Sequence, residues 1–415
     1  MTPTFDYRDG ELAAEGVALT AIAARYGTPC FVYSRAAIEG AFRGFDAAFA
    51  GVPHLVCYAV KANANLAILN LFARLGSGFD IVSGGELSRA VAAGGDPSRI
   101  VFSGVGKTED EMAAALKLGI LCFNVESASE LDRLNEVAGS LGARAPVSLR
   151  VNPDVDPKTH RYIATGLKEN KFGVPFGEAL SLYRYAARLP HVAVRGIDIH
   201  VGSQITALEP HREAAGRAFE LVDRLAAEGI ALEHIDLGGG IGIRYRDEAT
   251  ISPAEYAAAV GRLLGPRRLT LLFEPGRLLV GNAGVLLTRV LYLKPSAERN
   301  FAIVDAAMND LLRPALYDAW HDVLAVAPRP GATAVWQIVG PVCESADFLA
   351  RDRALTLAEG DLLAVLSAGA YAMAMSSNYN SRPRAAEVVV DGKTAHLVRP
   401  REAVAQLHVG EILLP

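Results

Sequence analysis

The sequence predicts an α/β protein in two parts, a (β/α)8 barrel of the TIM type and a C-terminal all-β sandwich or barrel domain. Three observations predict it. From Leu55 to Gly276, short apolar runs alternate with amphipathic stretches, eight runs in all. After Gly276 the texture changes to short Val-, Ile- and Leu-rich segments divided by Gly, Pro and Asn. Finally, 415 residues are too many for one ordinary core, so two domains are the default.

The strands expected in the first part are Leu55–Val60, Phe79–Ser83, Ile100–Ser103, Leu121–Val125, Val147–Val151, Val194–His200, Ile235–Leu237 and Leu269–Phe273. Between them, Asn65–Leu75, Gly85–Ala93, Thr108–Leu118 and Ala128–Leu141 carry apolar residues at three- and four-residue spacing, the period of a helix packed on one face. Eight strands, each leading into a helical connection, favour a closed barrel over an open doubly wound sheet. A Pro/Asp/Lys-rich loop from Asn152 to Pro175 should lie over the barrel's active face. In the second part the strand candidates are Val285–Tyr292, Phe301–Asp305, Val335–Val339, Leu362–Leu366, Glu387–Val390 and Thr394–Val398. The early run Pro29–Ser34 reads as a further strand of that domain. The expected division is therefore a barrel over residues 36–280 and a discontinuous β domain from 1–35 and 281–415.

Composition narrows the function. The chain is 51% hydrophobic and 21% charged, which is globular rather than disordered. A net charge of -5 gives no reason to expect a nucleic-acid or anionic-membrane partner. No signal-like leader and no bilayer-length apolar stretch is evident. Cys30, Cys57, Cys122 and Cys343 are scattered without a CxxC pair, which fits a reducing cytoplasm better than a disulfide framework, and no metal site is expected.

Catalytic groups on a (β/α)8 barrel come from the C-terminal ends of several strands. Sorting polar residues by that criterion alone yields Lys61, Asp80, Arg150, His200, the triplet Gly238-Gly239-Gly240 and Glu274. Each also has a plain structural reading: a solvated lysine, an ion-paired arginine, a core histidine, a turn. Their types together fit pyridoxal phosphate, which needs a lysine for its aldehyde, a partner for its ring nitrogen, a phosphate cradle and a stacking group. A lysine at the end of a buried strand loses hydration, which favours the neutral amine that Schiff-base chemistry uses. Glycines after strand 7 let backbone N–H groups approach a phosphate, and Gly276 in the next loop can join them. His200 offers a flat face and Ser203 a hydroxyl. A carboxylate at Glu274, beside the ring nitrogen, would keep that nitrogen protonated and the ring a strong electron sink.

YAVKAN (from Tyr58), HVGSQI, DLGGGIG, EPGR, CESAD and GAYAMAMSSNYNSRP resemble, in order and over nearly the whole chain, the fold-type III pyridoxal-phosphate decarboxylases with their alanine-racemase-like fold. Within these the chain resembles the diaminopimelate-decarboxylase branch. The resemblance implies that Lys61 forms the Schiff base, His200 stacks on the ring and Glu274 pairs with the pyridine nitrogen. It also implies that Ser203, Gly238 to Gly240, Gly276, Arg277 and Tyr371 surround the phosphate. Arg277, Arg313 and Tyr317 would hold the substrate's distal carboxylate, with Tyr371 nearby, and Glu344 its distal ammonium. Cys343 would be the proton donor, reaching with Glu344 into the site of the neighbouring subunit of a homodimer. Without the resemblance, Cys343 reads as an ordinary buried small residue. Ala307 before Met308 and Ala346 after the CES motif depart from the family's usual glycines.

The expected activity is decarboxylation of meso-diaminopimelate to L-lysine and CO2, the last step of lysine biosynthesis. Rivals are a decarboxylase of ornithine, arginine or carboxynorspermidine, an alanine-racemase-like enzyme with an arginine by the ring nitrogen, and a non-catalytic cofactor-binding protein. The first would leave Arg277 and Arg313 unpaired in a buried site. The last would have no use for Cys343, Glu344 or a large β domain.

Overall fold

The computed structural model describes residues 4–156, 166 and 170–415, so half of the loop expected from Asn152 to Pro175 lies outside the described residues. Eight parallel strands close into a barrel. They are β1 (His54–Ala59), β2 (Gly78–Ile81), β3 (Ile100–Phe102), β4 (Cys122–Val125), β5 (Ala145–Asn152), β6 (Val192–Asp198), β7 (His234–Asp236) and β8 (Thr270–Phe273). Closure is explicit in the register, since β8 pairs with β7 on one side and with β1 on the other. Sequence and structure agree on each strand to within two residues or so.

Most of the helices that follow barrel strands start where the sequence supplies a cap. Asn65, Ser83 and Ser127 accept from the third or second N–H of α1 (Leu66–Arg74), α2 (Gly84–Ala92) and α4 (Ala128–Ser140). Thr108 and Glu111 form a reciprocal capping box on α3 (Glu109–Leu118). Each such cap is worth about 1 kcal/mol, and each lies soon after a strand ends, so the strand-to-helix loops are short and hold polar residues at one rim. α5 (Phe176–Ala186) and α6 (Leu208–Ala227) start without a side-chain cap, whereas Ser252 and Glu255 form a second capping box, on α7 (Pro253–Leu264). Behind β8, the rings of Phe45, Phe49 and Tyr256 pack against Phe273 at centroid distances of 5.4, 4.2 and 5.9 Å, anchoring the strand that ends at Glu274.

Two compact units emerge: the described residues of Ala41–Ile243 with Ala249–Leu278, and those up to Gly40 with Arg244–Glu248 and from Leu279 onward. The second unit is built on Gly284–Lys294, an 11-residue strand with three partners. Its first half pairs with Cys30–Ser34 and Leu362–Val365, its second with Asn300–Val304. Cys30–Ser34 pairs in turn, in parallel, with Ala386–Asp391, which the hairpin strand Thr394–Arg399 extends. Ala334–Val339 and Phe348–Leu355 complete the far edge. Val32, Val285, Leu287, Val388 and Val390 are fully buried in this unit's core. Among the described residues no helix is long and apolar enough to cross a membrane.

Candidate active site

The barrel gathers most of the predicted residues at one rim. Lys61 lies in the single 3-10 turn Val60–Ala62 that follows β1, and its ammonium is ion-paired with Asp80 at the end of β2. About a third of the lysine side chain is exposed (34%). This corrects the desolvation argument: the amine is not stripped of water but placed by a fully buried carboxylate.

Glu274, immediately after β8, is buried and held by two neutral donors. Asn124 Nδ2 donates to its Oε1 at 3.2 Å and Ser103 Oγ at 3.3 Å, while Asn124 also donates to Ser103 at 3.1 Å. Carboxyl oxygens of Asp198, Asp236 and Glu274 lie within 4.8 Å of one another, all buried. Burial raises all three pKa values, and mutual repulsion raises those of Asp198 and Glu274 further. Asp236 is pushed up to about 7 despite the Gly238 N–H that bonds it at 2.8 Å. The three cannot all carry full charge in so dry a place. Oδ1 of Asp198 and Oδ2 of Asp236 accept no hydrogen bond among the described residues, which fits carboxyls that keep protons.

Arg150 is buried and ion-paired with Glu126 at 3.1 Å and more distantly with Asp198 at 3.9 Å, so its structural reading holds. Glu126 in turn accepts from Gly104 N–H and Gly173 N–H, pinning two rim loops.

The glycine triplet expected to cradle a phosphate packs tightly against neighbouring backbone. A Cβ on Gly239 would lie 2.2 Å from the carbonyl oxygen of Glu274, and one on Gly240 2.2 Å from that of Gly202. Only glycine lets these loops touch backbone to backbone, and Gly238 and Gly240 also have positive φ, 64° and 93°. Gly239 N–H donates to His200 Nδ1 at 3.3 Å. Burial lowers the His200 pKa well below the usual range, with Arg150 and Lys61 adding to the effect, so the ring is neutral. The N–H groups of Gly240 and Gly276 donate to nothing among the described residues. Arg277 Nη2 donates to Ser203 Oγ at 3.0 Å, joining two residues that sequence alone had only grouped. Gln204, at φ 58°, locks the glycine loop through bonds to both the N–H and the carbonyl of Ile243.

These residues fit pyridoxal phosphate. Two loops offer backbone donors and an arginine–serine pair, as an anionic phosphate requires. Burial favours the neutral form of Glu274 unless a cation sits beside it, and a protonated pyridine nitrogen is such a cation.

The second unit holds Arg313, Tyr317, Cys343, Glu344 and Tyr371. Arg313 opens the short helix Arg313–Tyr317 and is buried (5% exposed), with its guanidinium 4.5 Å over the ring of Tyr245. Cys343 is exposed, unlike the buried Cys30, Cys57 and Cys122, which corrects the reading of it as a core residue. Its backbone N–H is held by Asn380 Oδ1 at 2.7 Å, and the neighbouring Glu344 is exposed too. Tyr371 has φ 54°, an uncommon backbone for an aromatic residue.

Sequence reasoning missed Ser103, Asn124, Asp198 and Asp236. Asn124 gave a signal, as a polar residue inside the otherwise apolar strand Cys122–Val125.

Comparison with known proteins agrees with this geometry. Residues 35–281 match the family described as pyridoxal-dependent decarboxylase, pyridoxal binding domain. The chain is 63% identical over 412 residues to the diaminopimelate decarboxylase of Pseudomonas aeruginosa, covering 99% of both chains. It superposes on the crystal structure of the Helicobacter pylori diaminopimelate decarboxylase complexed with L-lysine with a TM-score of 0.92, at 44% identity and covering 94% of this chain and 98% of that one. For the M. jannaschii diaminopimelate decarboxylase in co-complex with L-lysine the TM-score is 0.95, at 38% identity and with coverages of 99% and 98%. A barrel rim bearing Lys61, Glu274 and a glycine cradle, matched along its full length by such relatives, places the chain in the pyridoxal-dependent decarboxylase family, among the diaminopimelate decarboxylases.

Proposed function

We propose that this protein removes the carboxyl group at the D-centre of meso-diaminopimelate, giving L-lysine and CO2 as the last step of lysine biosynthesis. The observation that carries the reaction class is Glu274, a buried carboxylate at the end of β8 oriented by Asn124 and Ser103. The substrate follows from the relatives named above. Bound pyridoxal phosphate supplies an aldehyde that captures amines and a ring that accepts the electron pair left by departing CO2.

The chain's residues do the rest. Lys61 is the amine that would hold the cofactor, and Asp80 fixes where that amine stands. Glu274 keeps a proton on the ring nitrogen, so that the electron pair has a cationic destination. His200, neutral and bonded to Gly239, presents a flat face for the ring. Gly238, Gly239, Gly240, Gly276, Ser203, Arg277 and Tyr371 hold the phosphate. Arg277, Arg313 and Tyr317 hold the distal carboxylate, with Tyr371 nearby, and Glu344 the distal ammonium. Cys343 returns a proton to Cα.

We further propose a two-fold dimer in which Cys343 and Glu344 serve the partner's site, an arrangement supported by their exposure. The barrel of 36–280 would carry the cofactor and the discontinuous β domain the substrate-reading groups. Four free cysteines support a reducing, cytoplasmic location.

The test is direct: purified protein with pyridoxal phosphate and meso-diaminopimelate should release lysine and CO2, with ornithine and arginine as controls. Preferential turnover of ornithine or arginine would overturn the substrate assignment.

A further inference from the structure

His321 is completely buried (0% exposed), four residues beyond the helix Arg313–Tyr317. Its Nδ1 lies 2.8 Å from the carbonyl oxygen of Leu366, and its Nε2 lies 2.8 Å from Nη1 of Arg313. A carbonyl oxygen only accepts, so Nδ1 carries the hydrogen. A guanidinium only donates, so Nε2 presents its lone pair. The two contacts therefore dictate one tautomer of a neutral ring.

The imidazole is fixed on its remaining sides. Tyr245 meets it edge-on at 5.3 Å and an interplanar angle of 78°. Its backbone carbonyl accepts from Arg353 Nη2 at 2.7 Å, and that guanidinium lies 3.4 Å over the Trp320 ring. Arg313 thus rests between the lone pair of His321 and the face of Tyr245. Both are uncharged, so they aim the guanidinium while leaving its charge intact. A carboxylate in the place of His321 would aim it equally well but would cancel its attraction for an anion.

We propose that His321 is a positioning residue that sets the direction of Arg313 and thereby determines affinity for substrates with a second carboxylate. This inference rests on the reading of Arg313 as a distal-carboxylate residue.

The test compares two amides in the holoenzyme. In His321→Asn the amide nitrogen takes the place of Nδ1 and keeps the bond to Leu366, but the acceptor for Arg313 is lost. In His321→Gln the amide oxygen takes the place of Nε2 and restores that acceptor. With meso-diaminopimelate, His321→Asn should raise KM about tenfold, the usual scale for a lost bond to a charged group, with a much smaller change in kcat. His321→Gln should recover most of the KM. In an Arg313→Ala background, His321→Asn should cause no further loss of kcat/KM. Tyr245→Leu, which removes the other side of the clamp, should also raise KM and covers the case in which the Asn variant fails to fold.

Equal effects of the Asn and Gln substitutions, or full additivity with Arg313→Ala, would make His321 merely structural and overturn the proposal. If Arg313→Ala raises KM while His321→Asn and Tyr245→Leu do not, only the positioning role falls. If Arg313→Ala leaves KM unmoved, the reading of Arg313 falls and His321 with it.

Discussion

Asn124 and Glu274 are 150 residues apart in sequence and 3.2 Å apart inside the barrel, where the amide of one orients the carboxylate of the other. Glu274→Gln preserves the size of this side chain and its contact with Asn124 but removes the charge. The variant should keep the cofactor and lose ~10²-fold or more in kcat, the scale of one preorganised electrostatic contribution. Stopped-flow and steady-state assays on the reconstituted variant check this. An unchanged kcat would take Glu274 out of the electron-sink role.

Lys61→Ala removes the amine that Asp80 positions. Reconstituted with pyridoxal phosphate, the variant should lack the visible absorbance of a lysine-bound cofactor and show no turnover. Absorption spectra beside wild type decide the matter, since a wild-type protein without that absorbance would contradict the assignment of Lys61.

Cys343→Ala and Lys61→Ala should complement each other if sites are shared across a two-fold dimer. Each mutant homodimer lacks one essential group at both sites, whereas a hybrid dimer carries both lesions in one site and none in the other. Random mixing of equal amounts makes about half the dimers hybrid, so about a quarter of wild-type activity should return. Coexpression with two affinity tags isolates the hybrid. An inactive hybrid would place Cys343 in its own subunit's site or outside catalysis.

His211, on α6, gives a pH signature separate from the chemistry. It is buried (4% exposed), edge-on to Tyr256 at 5.3 Å, and its Nε2 has no hydrogen-bond partner among the described residues. Burial pushes its pKa from 6.5 down to about 4. The native state thus resists a proton that the unfolded chain accepts. The resulting stability is present above pH 6.5 and is lost as pH falls toward 4, amounting to on the order of 3 kcal/mol. His211→Phe keeps a ring against Tyr256 and should flatten the pH dependence across that window. Urea midpoints of both proteins at pH 7 and pH 4.5 measure the difference, and parallel losses would show that His211 does not supply this term.

The barrel was legible because buried parallel strands are nearly continuous apolar runs, and each of its eight was bounded by glycine, proline or a helix cap. The strand Phe348–Leu355 was not, because Arg351, Asp352 and Arg353 interrupt it with charge. Arg353 is nonetheless buried, its guanidinium spread on Trp320, and no local pattern announces such a partner. In the site, Lys61, His200, Glu274 and the glycines stand at strand ends and could be read in order along the chain. Asp198 and Asp236 also end strands, but their meaning comes from their approach to Glu274, which the register of β6, β7 and β8 creates. Asp80 was visible as a strand-end acid, whereas its pairing with Lys61 depends on the register between β1 and β2.

The strand Cys30–Ser34 leaves the ribosome ahead of the barrel strands, while its sheet neighbours Gly284–Lys294 and Ala386–Asp391 follow them. Tyr33 donates to Glu387 at 2.8 Å across 354 residues of chain. At roughly 5–20 residues per second, the wait is on the order of half a minute. Until Gly284–Lys294 emerges an apolar segment has both edges open to other strands, and one edge stays open until Ala386–Asp391 follows, the exposure that chaperones shield and aggregates exploit. β1 likewise waits for its partner β8, but the barrel's last strand ends at Phe273, so the barrel can close while this segment still waits for Ala386–Asp391. Translation, rather than the intrinsic folding rate of the sheet, therefore sets the earliest moment at which the β unit can close.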